Sequence, residues 1–253
     1  MTDPRRRAVT RWAIPIVVAA GALAGQVAWL LQPAASQELT EQEAVGRTLY
    51  VANCSSCHGL DANGTQDGPS LQGDGPASVD FMLSTGRMPL NQPTQQPVRQ
   101  EPRYSPEEIA AIVSYVATIA PGGPPIPAVD PDTGDLQLGF ALYTGVCSAC
   151  HGAGATGDSI GGGQIAPPLG PSTPLQIAEA IRVGPGAMPR FGEETYDDHD
   201  VNSMIRYLEY LDAAPDPGGL GIGRYGPVAE GFVVVFFAFG VLLIVIRLIG
   251  TKT

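Results

Sequence analysis

Cys54-Ser55-Ser56-Cys57-His58-Gly59 recurs as Cys147-Ser148-Ala149-Cys150-His151-Gly152, and this repeated stretch decides how the chain is read. Two cysteines separated by two residues, with histidine directly after them, form the pattern that attaches a c-type haem. The chemistry sets the spacing. Each thiol adds across one vinyl group of the porphyrin, and the adjoining imidazole meets the iron from the proximal side. The competing readings of Cys-x-x-Cys are a zinc site and a disulfide redox motif. Here the two pairs stand about ninety residues apart, against roughly 15–20 in a zinc ribbon, and each carries its own histidine. The sequence therefore predicts two covalently bound haem c groups, attached at Cys54 and Cys57 and at Cys147 and Cys150, with His58 and His151 as proximal iron ligands.

Attachment consumes all 4 cysteines of the 253-residue chain, leaving none for a disulfide, a catalytic thiol or a thiolate iron ligand. With 32 Gly, 24 Pro and only 15% charged residues, the composition suits small, loop-rich domains in which an apolar prosthetic group supplies much of the core. Haem c attachment takes place outside the cytoplasmic membrane, so the haem-bearing parts belong on that side.

Working outward from the first motif, Thr40-Glu41-Gln42-Glu43 has the form of a capping box and predicts a helix running towards Cys54, with Val45, Leu49 and Ala52 on its apolar face. After His58 a Gly- and Asp-rich loop reaches about Pro76. Val79, Met82, Leu83 and Gly86 then carry helical spacing up to the turn Gly86-Arg87-Met88-Pro89. Pro89 to Tyr104 reads as a surface excursion. Ser105-Pro106-Glu107-Glu108 opens a further helix, with Ile109, Ile112, Val113 and Val116 facing inward.

The plan then repeats. Gly139, Leu142 and Tyr143 precede Cys147 as Gly46, Leu49 and Tyr50 precede Cys54. Ile177, Ala180, Ile181 and Gly184 echo the Val79 helix, and Gly186-Ala187-Met188-Pro189 echoes the Met88 turn. Val201, Met204, Ile205, Leu208 and Leu211 form a second closing helix, in which Tyr207 matches Tyr115. The fold class is all-α: two tandem class I cytochrome c-type haem domains, expected at 38–120 and 135–214 and joined by a Pro/Gly linker at 121–134.

Both ends of the chain read as membrane segments. Residues 1–37 begin with Arg5, Arg6, Arg7 and Arg11, followed by the apolar run Ala13 to Leu31, which reads as an export signal or a membrane anchor. A second linker at 215–227 leads to 228–250, an apolar segment long enough to span a hydrocarbon core of about 30 Å. Arg247 and Lys252 follow the run, so the positive-inside rule places the C-terminus in the cytoplasm and the haem domains outside the cell membrane.

The sixth iron ligand must come from elsewhere in each domain. Met82 and Met204 lie on apolar helix faces and read as core. Met88 and Met188 each stand before a proline that disfavours helical geometry, in a turn able to aim a thioether at iron, and are the predicted distal ligands. His199, among the carboxylates Asp197, Asp198 and Asp200, reads as a solvated helix N-terminus. From Gln37 to Pro227 there are 23 Asp plus Glu and 8 Arg and no lysine, a net charge of −15. That surplus serves solubility or attracts a basic electron-transfer partner; no nucleic-acid partner is expected.

On these residues the chain resembles the dihaem cytochrome c subunit of the actinobacterial cytochrome bcc complex, a menaquinol to cytochrome c reductase. The resemblance lies in the order of parts: an export segment, two Cys-x-x-Cys-His-Gly domains each with a later Met-Pro, and a C-terminal membrane helix. It implies membership of an oxidoreductase whose quinol chemistry lies in partner subunits. Those partners would be a cytochrome b subunit, a Rieske iron-sulfur subunit and an aa-type haem-copper oxidase, with two copies in a dimeric complex. The implied route runs from menaquinol through the Rieske cluster and the two haems to the copper-A centre of the oxidase. Two alternatives differ in architecture. A dihaem subunit of a cbb-type oxidase is usually anchored at its N-terminal side, and a dihaem enzyme needs an open or differently ligated haem.

Overall fold

The computed structural model of the protein describes residues 39–213 and 227–250. The N-terminal signal or anchor, the linker at 215–226 and Lys252 lie outside the described residues.

Two helical domains follow one plan. In the first, α1 (Glu41–Asn53) runs into the one-turn α2 (Ser55–His58), then α3 (Pro76–Ser84) and the closing helix α4 (Pro106–Ile119). In the second, α5 (Leu136–Leu142) continues through a π-helical turn (Tyr143–Cys147) into α6 (Ser148–His151). It is followed by α7 (Pro174–Val183) and the closing helix α8 (Asp198–Ala213). The second domain adds something the all-α reading did not include: a short antiparallel hairpin of β1 (Asp158–Gly161) and β2 (Gln164–Ala166).

Each domain is held by the crossing of its first and last helices. Gly46 of α1 lies so close to α4 that a Cβ there would collide with the backbone of Ala111, and Gly139 of α5 stands in the same relation to Ser203 of α8. The aromatic rings beside these crossings correspond as well. Tyr50 and Tyr115 have centroids 5.6 Å apart, and so have Tyr143 and Tyr207. Around them are two apolar cores, one including Tyr50, Ile109, Ile112, Val113 and Val116, the other Tyr143, Ile181, Val201, Met204, Ile205 and Leu208.

The expected apolar face of α1 is corrected by this packing. Val45 and Ala52 are exposed, and the inward residues are Gly46 and Tyr50, with Leu49 partly covered. Hydrophobic spacing misplaces the face because the contact is made by backbone approach at a glycine, which carries no apolar side chain. The closing helices conform to their expected patterns. Ser105 caps α4 reciprocally: its hydroxyl accepts from Glu108 N at 3.3 Å while Ser105 N donates to the Glu108 carboxylate at 2.9 Å.

The domains are packed against each other through α3 and α7, the equivalent helices of the repeat. The Gln176 amide donates to the Ser84 carbonyl at 3.1 Å, and the carboxyls of Asp80 and Glu179 adjoin one turn away, so the two helices run antiparallel. Pro89 to Tyr104, expected as a surface excursion, also bridges the domains. Arg99 donates to Pro171 O at 2.8 Å, to Gln176 Oε1 at 2.8 Å and to Ser172 Oγ at 3.2 Å.

The segment 121–134 is likewise more than a tether. Ala77 N donates to Pro124 O at 3.2 Å, Asp130 N donates to Asn202 Oδ1 at 3.0 Å, and Arg206 donates to Gly134 O at 2.6 Å. These bonds attach its first half to the first domain and its second half to the second. The final helix, α9 (Pro227–Gly250), is apolar and exposed, with a candidate membrane span at Glu230–Gly250 of mean hydropathy 3.0.

Candidate haem sites

At each motif the chain turns sharply after the histidine. Gly59 and Gly152 have φ of 81° and 77°, a region glycine enters without strain, and so end the one-turn helices that carry the motifs. The carbonyl of each glycine then accepts a tyrosine hydroxyl from the helix before it: Tyr50 Oη at 2.8 Å from Gly59 O, and Tyr143 Oη at 2.6 Å from Gly152 O. Burial foremost, then the neighbouring Cys54, pushes the Tyr50 phenol up to about 12, so it stays a donor. Burial and Cys147 raise Tyr143 in the same way.

The histidines are oriented by backbone. His58 Nδ1 lies 2.8 Å from Pro69 O and His151 Nδ1 lies 3.0 Å from Pro167 O. A carbonyl can only accept, so Nδ1 carries the proton and Nε2 keeps its lone pair for a metal. The loops that bring these prolines round correspond bond for bond. Gly64 N donates to His58 O and Gly157 N to His151 O, at 2.8 and 2.9 Å. Leu71 N donates to Ala62 O and Leu169 N to Ala155 O, both at 2.9 Å.

Cys54 and Cys147 are half-buried against the two cores. Burial first, and then the second cysteine of each pair, pushes Cys54 and Cys147 up to about 11. Among the described residues no three His, Cys, Asp or Glu side chains converge to hold a metal ion.

Met88 packs on the core that receives Cys54, and Met188 on the core that receives Cys147. Of each predicted set, one cysteine and the methionine thus share a core: Cys54 with Met88 in the first domain, Cys147 with Met188 in the second. Met204 is fully buried in the second core, with its sulfur 4.0 Å from Cys147 Sγ, and Met82 is half-buried. His199 is exposed in the first turn of α8. The residues of this chain fit a haem c at each site: paired thiols, an imidazole with Nε2 available, and a thioether on the same core.

Sequence reasoning missed the supports of the site. Tyr50 and Tyr143 stand in the repeated register with no sign of their hydroxyl bonds, and Pro69 and Pro167 as backbone acceptors are not legible in it at all. Their roles depend on loops whose course no periodicity records.

Residues 43–120 match the family model described as cytochrome c, and residues 134–208 match that described as cytochrome C oxidase, cbb3-type, subunit III. Among curated proteins, the chain is 32% identical to the cytochrome bc1 complex cytochrome c subunit of Mycobacterium leprae, over 87% of this chain and 80% of the relative. It is 33% identical to that of Mycobacterium tuberculosis over 84% and 80%, and 30% identical to that of Corynebacterium diphtheriae over 98% and 95%. A cbb3-type cytochrome c oxidase subunit CcoP of Rubrivivax gelatinosus is 30% identical over 45% of this chain and 35% of its own length. With two cytochrome c domains, and with relatives aligned along nearly the whole chain, the protein belongs to the family of cytochrome c subunits of the cytochrome bc1 complex.

Proposed function

We propose that this chain is the dihaem electron carrier of a menaquinol-oxidising complex, passing electrons from a Rieske iron-sulfur subunit to the copper-A centre of an aa-type terminal oxidase. His58 and Met88 would hold one iron, and His151 and Met188 the other. Cys54 with Cys57, and Cys147 with Cys150, would be bonded to the two porphyrins. A bound haem c supplies reversible one-electron chemistry at its iron, and His/Met ligation raises its potential relative to bis-His. The protein's part is to fix the imidazole tautomer through Pro69 and Pro167, and to cover the site with the tyrosine-braced turn.

The observation that carries the relay reading is the clamp between the domains. Arg99 and Gln176 join them directly, so the two sites belong to one body and not to two modules on a free tether. The domains are proposed at 38–120 and 135–214, with α9 as the membrane anchor, the haem domains outside and the C-terminus inside. A cytochrome b subunit would complete the complex, in a dimer. The order, with the first haem nearer the Rieske subunit, follows the order of domains.

The family match of residues 134–208 favours one second reading, a dihaem subunit of a cbb-type oxidase. Affinity purification through this chain separates the two. The proposed reading expects cytochrome b and Rieske subunits to co-purify, together with menaquinol-driven oxygen uptake that needs no added cytochrome c. Recovery of a cbb-type oxidase without a Rieske subunit would replace it.

A further inference from the structure

The turn that carries Met88 departs from its repeat at a charged position: Arg87 stands where the second turn has Ala187. The Arg87 side chain folds over the Phe81 ring, with its guanidinium carbon 4.8 Å from the centroid, and its Nη1 is buried without a hydrogen-bond partner. Burial foremost, and then the like charge of Arg99, works against its protonated form. Arg99 directs its own donors to three neutral acceptors, Ser172 Oγ, Pro171 O and Gln176 Oε1. Two like charges thus influence each other, and the bonds of Arg99 supply no anion.

Arginine does not deprotonate in proteins, and a charged donor buried without an acceptor is unfavourable. The site calls for an anion, and a planar fork of donors suits a carboxylate. Haem c carries two propionate carboxylates. We propose that Arg87 is the anchoring residue for a haem propionate in the first domain, a contact the second domain lacks at Ala187. The proposal rests on the reading of Met88 as a ligand of that haem, which places Arg87 one residue from the iron's distal side.

The electrostatic consequence has a definite sign. Reduction adds an electron, and a neighbouring positive charge favours it, while an unpaired propionate opposes it. Arg87 therefore holds up the potential of the first haem, and it keeps that propionate ionised across the neutral pH range.

Redox titration of the full chain in its assembled complex, followed in the c-type haem bands from acid to alkaline pH, tests this. R87Q should shift one haem's reduction equilibrium about tenfold towards the oxidised form, about 59 mV for one electron. That haem's potential should then fall with pH through neutrality. R87K, which keeps the charge but not the fork, should move the same haem in the same direction by less, and it decides the matter if R87Q does not assemble. Unchanged potentials in whichever variants assemble, or a shift of the second-domain haem alone, would overturn the proposal; M88H and M188H identify which haem moves. Absence of a sulfur-to-iron charge-transfer band at the first haem of the unmodified protein would overturn the ligation reading itself, and the proposal with it.

Discussion

Arg99, from the loop after the first domain's methionine, donates to the side chain of Gln176 on the second domain's α7, and Gln176 in turn donates to Ser84 on the first domain's α3. This exchange closes the interface at its edge. The partly buried bonds are those of Gln176 to Arg99 and to Ser84, and breaking either leaves a group there unsatisfied. R99A and Q176A should each lower stability by about 1–3 kcal/mol. A double-mutant cycle followed by chemical denaturation measures whether they act together, and a coupling near zero would show that the Arg99–Gln176 bond itself contributes nothing.

The helix crossings make a sharper demand. Gly46→Ala and Gly139→Ala push a methyl group into backbone and should cost at least about 1–3 kcal/mol, with lower haem incorporation in the domain concerned. Gly145→Ala, whose added Cβ meets nothing within 4 Å, is the control and should leave both stability and haem content near wild type. Comparable losses in all three would mean that close approach is not what those glycines provide.

Haem content and ligation can be read independently of activity. Cys54→Ala or Cys147→Ala should impair attachment at one site only, against about two haems per chain by pyridine haemochrome in the unmodified protein. M88H and M188H should each lower the potential of their own haem, because imidazole replaces thioether as an axial ligand. One haem per chain in the unmodified protein would refute the first statement, and unmoved potentials the second.

The carboxyl pair at the domain interface gives a pH signature. Glu179 is fully buried beside Asp80; burial, and then the charge of Asp80, pushes it up to about 9. Burial raises Asp80 as well. An acid whose folded pKa is raised holds its proton in the folded state after the unfolded chain has released it. Stability therefore falls as pH rises from about 4.5 towards about 9, by at most about 1.4 kcal/mol per pH unit from this group. Glu179→Gln should flatten that slope, and its advantage over wild type should widen with pH across the same window. Denaturation midpoints at pH 5, 7 and 9 would show it, and parallel curves would exclude it.

The two cytochrome c domains could be read from the chain because the Cys-x-x-Cys-His spacing is local, and because the plan occurs twice. The closing helices were legible for a different reason: Ile109, Ile112, Val113 and Val116 are large, apolar and periodic. Gly46 and the α1 face were not, since close approach is written in the lack of a side chain. The bridging roles of Arg99 and Gln176 were hidden too. They join residues more than seventy positions apart, and neither polar side chain looks different in sequence from one that faces water.

The antiparallel meeting of α3 and α7 has a consequence for how the molecule could be divided. Helices that are equivalent in the repeat and cross in opposite directions are related by an approximate two-fold axis, as the protomers of an isologous dimer are. Each half of this chain therefore serves as the other's subunit. Ala77 and Phe81 of α3 are buried, yet they belong to neither apolar core. A first domain cut free at the linker would present that face to solvent, and would seek a second copy of itself to cover it.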